Sequence, residues 1–179
     1  MDPRALRCGL IRPLDPAPAR WLGPRMTTAI DRKLAELGLA LPEAAAPVAA
    51  YVPVVEAGGL LHVSGQLPFK DGALMTGRLG EDRDIAFGTE AAQRCGLMLV
   101  AQIKKALDGD LSRIKRVVKL GVFVNSTADF TDQPKVANGA SELMQALFGE
   151  AGRHARSAVG VAALPLGAAV EVDAIFQLA

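Results

Sequence analysis

Between Asp84 and Leu107 six small or apolar residues, Gly88, Ala92, Cys95, Leu99, Ile103 and Ala106, recur at three- to four-residue steps. Only an α-helix aligns that spacing on one face, and a stripe so long must be covered by something flat and apolar. The flanking segments supply the cover. Val117 to Val124 reads as a buried strand, and 157–163 and 168–177 as two more. Residues 50–56 and 59–66 alternate as strands and meet at Ala57-Gly58-Gly59, a hairpin turn. Lys70-Asp71-Gly72 marks a further turn before a short strand at 73–76. A second long helix is predicted from about Pro134 to Phe148, since Pro is tolerated in a first turn. Upstream, Thr28 and Asp31 form a helix-opening cap, Ile30, Leu34 and Leu37 share a face, and Gly38 stops the helix. The resulting order predicts an α+β sandwich, a mixed sheet covered on one face by two long helices.

The chain has 179 residues, half of them hydrophobic, enough for one domain with a proper core. Its net charge of +1 conceals an asymmetry. Residues 1–25 carry five Arg against Asp2 and Asp15, five of the eleven prolines and the sole Trp. They read as an irregular or disordered extension, or as sequence upstream of a start at Met26, and 26–179 as the single folded domain. The body that follows is slightly acidic, which argues against nucleic acid as a partner. No run approaches the ~20 apolar residues of a membrane span, so no membrane partner is expected. Cys8 and Cys95 are the only cysteines, one in the leader and one mid-helix, so a cytoplasmic protein without disulfides is expected.

Chemistry is concentrated in the last 24 residues, where Arg156 precedes one apolar run and Glu171 sits inside the next. Ionic groups in apolar strands are costly unless partnered or employed. If the two strands pair as neighbours across Leu164-Pro165-Leu166-Gly167, the Arg can hold a small carboxylate while the Glu handles a proton or a water. Other chemistries lack support. His62 and His154 are isolated, with His62 read as a half-exposed strand residue, so no metal site is expected. There is no Gly-x-Ser-x-Gly elbow, no strand–loop–helix phosphate cradle, and Cys95 lies on the apolar helix face.

Taken with Tyr51 ahead of the first strand, Val63-Ser64-Gly65-Gln66-Leu67-Pro68, the run Arg113 to Val124, Asp129-Phe130, Arg156-Ser157, Leu164-Pro165 and Val170-Glu171-Val172, the tail acquires a context. Over roughly residues 45–179 the chain resembles the Rid family, also called the YjgF or liver perchloric-acid-soluble-protein family, of enamine/imine deaminases. The resemblance implies a chorismate-mutase-like fold and a homotrimer with clefts between subunits. It further implies deamination of 2-aminoacrylate-type enamines or imines to a 2-keto acid and ammonia, without a cofactor. Arg156 would grip the carboxylate of this small metabolite and Glu171 would position water, with Tyr51, Ser64, Gly65, Asn138 and Ala158 lining the pocket. A non-catalytic module binding a small 2-keto acid is the alternative on the same fold. The chain departs from typical members in having Ala158 where Cys is common and Gly160 where a larger polar residue is usual. The helix at 26–40 and a longer connection at 131–139 also depart, and together these features imply a divergent branch.

Overall fold

In a computed structural model the chain is described over residues 28–44 and 50–179; the predicted extension at 1–25 lies outside them. The first helix, α1 (Ala29–Glu36), opens on a complete capping box in which Thr28 and Asp31 satisfy each other's backbone N–H, and Gly38 follows it at φ +65°. Ile30 and Leu34 are buried as expected, whereas Leu37 caps the helix and is exposed. Strands β1 (Val54–Ala57) and β2 (Leu60–Gln66) form the hairpin, and Gly58 and Gly59 both take the positive φ that a tight turn between twisted strands demands. β1 is shorter than predicted, because the chain at 50–53 bends instead of pairing as a strand. Short strands β3 (Phe69–Lys70) and β4 (Ala73–Leu74) make a separate ribbon around Asp71-Gly72.

The long helix α2 (Ile85–Ala106) is capped by Asp84, whose carboxylate accepts from the Phe87 N–H at 2.8 Å. It is followed by β5 (Ile114–Asn125), α3 (Gln133–Phe148), β6 (Ala155–Val161) and β7 (Val170–Leu178). Two of the shifted boundaries bear on the site: Arg156 lies within β6 instead of ahead of it, and most of 131–139 is helix, since α3 begins at Gln133.

The sheet runs β1-β2-β7-β5-β6, with β5 parallel to β6 and every other pair antiparallel. The two tail strands are therefore not neighbours. At twelve residues, with Val117, Leu120, Val122 and Val124 all buried, β5 is the longest strand and takes an interior place, with β6 on one side and β7 on the other. Residues 162–169 pass over its end through a 3₁₀ turn at Pro165–Gly167. α2 and α3 cover one face of the sheet, as predicted, and enclose a core from Leu61, Val63, Leu99, Ile103, Leu120, Val172 and Phe176. Cys95 is fully buried there, its thiol pushed well up by burial and, secondarily, by the charge of Glu171. The opposite sheet face carries Val55 (48% exposed), Phe123, Val159 (45% exposed) and Ile175, and among the described residues no second layer lies over it. Among the described residues no helix is long and apolar enough to cross a membrane.

Candidate functional site

Strand alternation decides where the two key side chains point. Arg156 pairs with Leu120, which pairs with Ala174, and Leu120 and Ala174 are buried beneath the helices. Arg156 therefore emerges on the helix-covered face, at the edge strand, under α3. There the helix offers it three acceptors: Nη1 donates to Asn138 Oδ1 and to Ser141 Oγ, both at 3.0 Å, and Nη2 donates to the Pro134 carbonyl at 3.2 Å. Positions 134, 138 and 141 are spaced i, i+4, i+7, so one face of α3 carries all three. A guanidinium has five N–H donors. Three are used within the chain, which leaves Nε–H and one Nη2–H for a planar two-point grip on a carboxylate. Ala158 stands two residues along on the same face and packs against the core. Gly160 is small for a local reason: a Cβ there would come 2.6 Å from Ser126 Oγ and 2.8 Å from Gln133 Nε2.

A second group assembles on the other face. Glu171 pairs with Phe123, which pairs with Val159, all three facing away from the helices. The β2–β7 ladder slips between Val63 and Gln66, so Ser64-Gly65 bulges out over Glu171. A Cβ on Gly65 would overlap Glu171 Oε1 and stand 2.7 Å from its Cδ; the absence of that atom is what gives the carboxylate its place. Ser64 Oγ donates to the Val52 carbonyl at 2.9 Å, and its N–H to the Pro53 carbonyl at 2.9 Å, which holds the exposed Tyr51 segment beside the bulge. Burial first, and then the neighbouring charge of Asp173, raises the Glu171 carboxyl above its ordinary value of 4.5. Asp173 is raised too, mainly by burial, although it accepts the Gly121 N–H at 3.0 Å.

The structure thus gathers the sequence-predicted residues into two groups, Arg156 with Asn138 and Ala158, and Glu171 with Tyr51, Ser64 and Gly65. It does not bring the two together within one chain. From Arg156 to Glu171 the path crosses two strand spacings and three residues, about 14 Å between Cα atoms, with the side chains on opposite faces. Sequence reading also missed two members of the Arg156 group. Ser141, buried on α3, and His154 hydrogen-bond at 3.0 Å, so His154 is not isolated. His62 is exposed on β2, opposite Val55 and Ile175.

A raised carboxyl stabilises the fold while protonated and costs stability once ionised. Stability from Glu171 is thus present below its unfolded value and lost as pH rises through its folded one. Glu171→Gln is expected to melt at a higher temperature than wild type at pH 8, with the gain vanishing near pH 4, in paired thermal melts. An equal shift at both pH values would show that burial of charge is not the cause.

The family described as "YjgF/chorismate_mutase-like, putative endoribonuclease" matches residues 31–177. Protein TCP17 of Trypanosoma cruzi is 58% identical over 151 residues, 83% of this chain and 94% of that protein. A solved structure of Atu1372 from Agrobacterium tumefaciens, described as of unknown function, is 49% identical with a TM-score of 0.79, covering 84% of this chain and 93% of that one. A 2-iminobutanoate/2-iminopropanoate deaminase of Dermatophagoides farinae is 27% identical over 139 residues, 76% of this chain and 92% of the relative.

Proposed function

We propose, because the chain belongs to the YjgF/chorismate-mutase-like family matched over residues 31–177, that it hydrolyses small enamine or imine acids such as 2-iminopropanoate to a 2-keto acid and ammonia. The observation that carries this reading is Arg156, braced by three acceptors of α3 and keeping two donors for a carboxylate. The name of the Dermatophagoides farinae relative supports the substrate class.

The chemistry needs little beyond orientation. With the carboxylate on Arg156, the enamine takes a proton at its terminal carbon and becomes the protonated imine. Water adds to the imine carbon, its proton passing to a base. The carbinolamine nitrogen is then protonated and leaves as ammonia, while the C–OH gives its proton back to the base as it closes to the ketone. One group of raised proton affinity can serve each of these transfers, and Glu171 is such a group. Its place on the far face supports a role beside the Arg156 of another copy. We therefore include in the proposal a homotrimer whose subunits meet through the uncovered sheet face, setting Tyr51, Ser64, Gly65 and Glu171 of one copy opposite Asn138, Arg156 and Ala158 of the next.

The test is 2-keto acid and ammonia release from 2-iminopropanoate generated in situ, against its spontaneous decay. Arg156→Ala is expected to fall to the spontaneous rate, and equal rates for wild type and variant would sink the proposal. The separation of Arg156 from Glu171 within one chain favours a second reading, a module that binds a 2-keto acid without turning it over. That reading predicts thermal stabilisation by 2-oxobutanoate, lost in Arg156→Ala, with no acceleration of imine decay.

A further inference from the structure

We propose that Ser141 and His154 are a positioning pair that fixes the direction in which Arg156 presents its free donors, an inference that rests on Arg156 being the carboxylate anchor. The four groups form one chain of hydrogen bonds. The Gly152 carbonyl lies 2.6 Å from His154 Nδ1, His154 Nε2 lies 3.0 Å from Ser141 Oγ, and Ser141 Oγ accepts from Arg156 Nη1 at 3.0 Å. Its direction is set from both ends, because a carbonyl can only accept and a guanidinium can only donate. Nδ1 therefore carries the proton and gives it to Gly152, Nε2 is a bare acceptor, and the Ser141 hydroxyl donates to Nε2 while turning a lone pair toward Arg156.

The anchor of this chain is structural. A Cβ on Gly152 would overlap the Met144 carbonyl oxygen and come 2.7 Å from its carbon, so only glycine lets the turn at Gly149–Gly152 close onto the end of α3 and aim its carbonyl at the imidazole. His154 and Arg156, two residues apart, share one side of the extended chain, which delivers both to the buried Ser141. Without an acceptor at Nε2 the hydroxyl is free to bond back to a carbonyl of its own helix and withdraw from Arg156. The Nη1 end would then be held by Asn138 alone.

The charged group facing the ring is Arg156, from β6; α3 presents the neutral Ser141 and the 149–152 turn presents a carbonyl. Burial and, secondarily, Arg156 keep the imidazole below its ordinary value, so the neutral ring persists through neutral pH and is charged only on the acid side. Once charged, Nε2 becomes a donor, and the hydroxyl is asked to accept from two cations at once.

The experiment is calorimetric titration of the intact protein with 2-oxobutanoate between about pH 5 and about pH 8, alongside imine turnover. His154→Leu should weaken binding about tenfold at neutral pH with little change in kcat, since an interaction made equally with ground and transition states is lost. His154→Gln supplies an acceptor for Ser141 that does not titrate. Wild-type binding should weaken at acid pH as His154 becomes charged, whereas His154→Gln should bind within about threefold of wild type at neutral pH and show no such weakening. Should His154→Leu fail to fold, Ser141→Ala removes the same link from the helix side and should weaken binding similarly. Wild-type affinity in His154→Leu or Ser141→Ala, or an unchanged acid limb in His154→Gln, would overturn the positioning role while leaving Arg156 as anchor. Equal binding by wild type and Arg156→Ala would instead overturn the anchor, and this inference with it.

Discussion

Gly139→Ala is expected to lose about 3 kcal/mol of stability, a melting-temperature drop on the order of 10 °C for a domain of this size. Gly139 lies on the buried face of α3 where it crosses α2. A Cβ there would overlap the Thr89 carbonyl oxygen and stand 2.9 Å from its carbon and 3.1 Å from the Gln93 nitrogen. Those are backbone atoms inside a regular helix, so no rotamer change relieves the clash and the two helices must separate. The gain of about 1 kcal/mol in helix propensity offsets only part of the loss. Gly96→Ala is the control. It sits in the same helix pair, but the added methyl would come 2.9 Å from Leu143 Cδ2 and 3.6 Å from Met144 Cε, the ends of side chains that can yield. It is expected to be near neutral. Similar melting points for the two variants would show that the glycine at 139 is not what sets the helix spacing. The site is implicated as well, because α3 carries Pro134, Asn138 and Ser141, and any separation of the helices moves the brace of Arg156.

The helices and the first hairpin were legible because their signals are local: the stripe from Gly88 to Ala106, the cap at Thr28, the Gly58-Gly59 turn. Family resemblance pointed to Arg156, Asn138, Gly65 and Glu171, and the geometry gives each a definite neighbour. Strand adjacency was not legible. Two apolar runs joined through Leu-Pro-Leu-Gly look like a hairpin, and nothing local says that Ile114–Asn125 will lie between them; that is a competition among strands for interior places in the sheet, decided by non-local burial. The error has a functional consequence, since a hairpin would have set Arg156 and Glu171 side by side. His154 was passed over because one imidazole carries no meaning without its partner, and Ser141 lies thirteen residues away on another element. Two local signals were nevertheless available: Ser141 is three residues beyond Asn138, and His154 shares the parity of Arg156.

Mixing two inactive variants should restore activity. In a closed ring with head-to-tail interfaces, each site would draw Arg156 from one copy and Glu171 from its neighbour. Arg156→Ala and Glu171→Gln proteins are each expected to sit at the spontaneous rate or, for Glu171→Gln, about a hundredfold below wild type. When the two are co-expressed in equal amounts and assemble at random, a site is intact if its Arg comes from a Glu171→Gln copy and its Glu from an Arg156→Ala copy. That pairing recurs at about one site in four, so the mixture should recover about a quarter of wild-type turnover. The geometry behind this is the ~14 Å separation and the opposite faces, which no side-chain rotation bridges within one chain. The double variant Arg156→Ala/Glu171→Gln co-expressed with wild type gives the complementary check. It too leaves about a quarter of sites whole, now those whose Arg and Glu both come from wild-type copies. Native mass spectrometry can establish that mixed assemblies form. Mixed trimers of the two single variants without recovered turnover would place the working Arg and Glu in the same subunit, or remove Glu171 from the reaction.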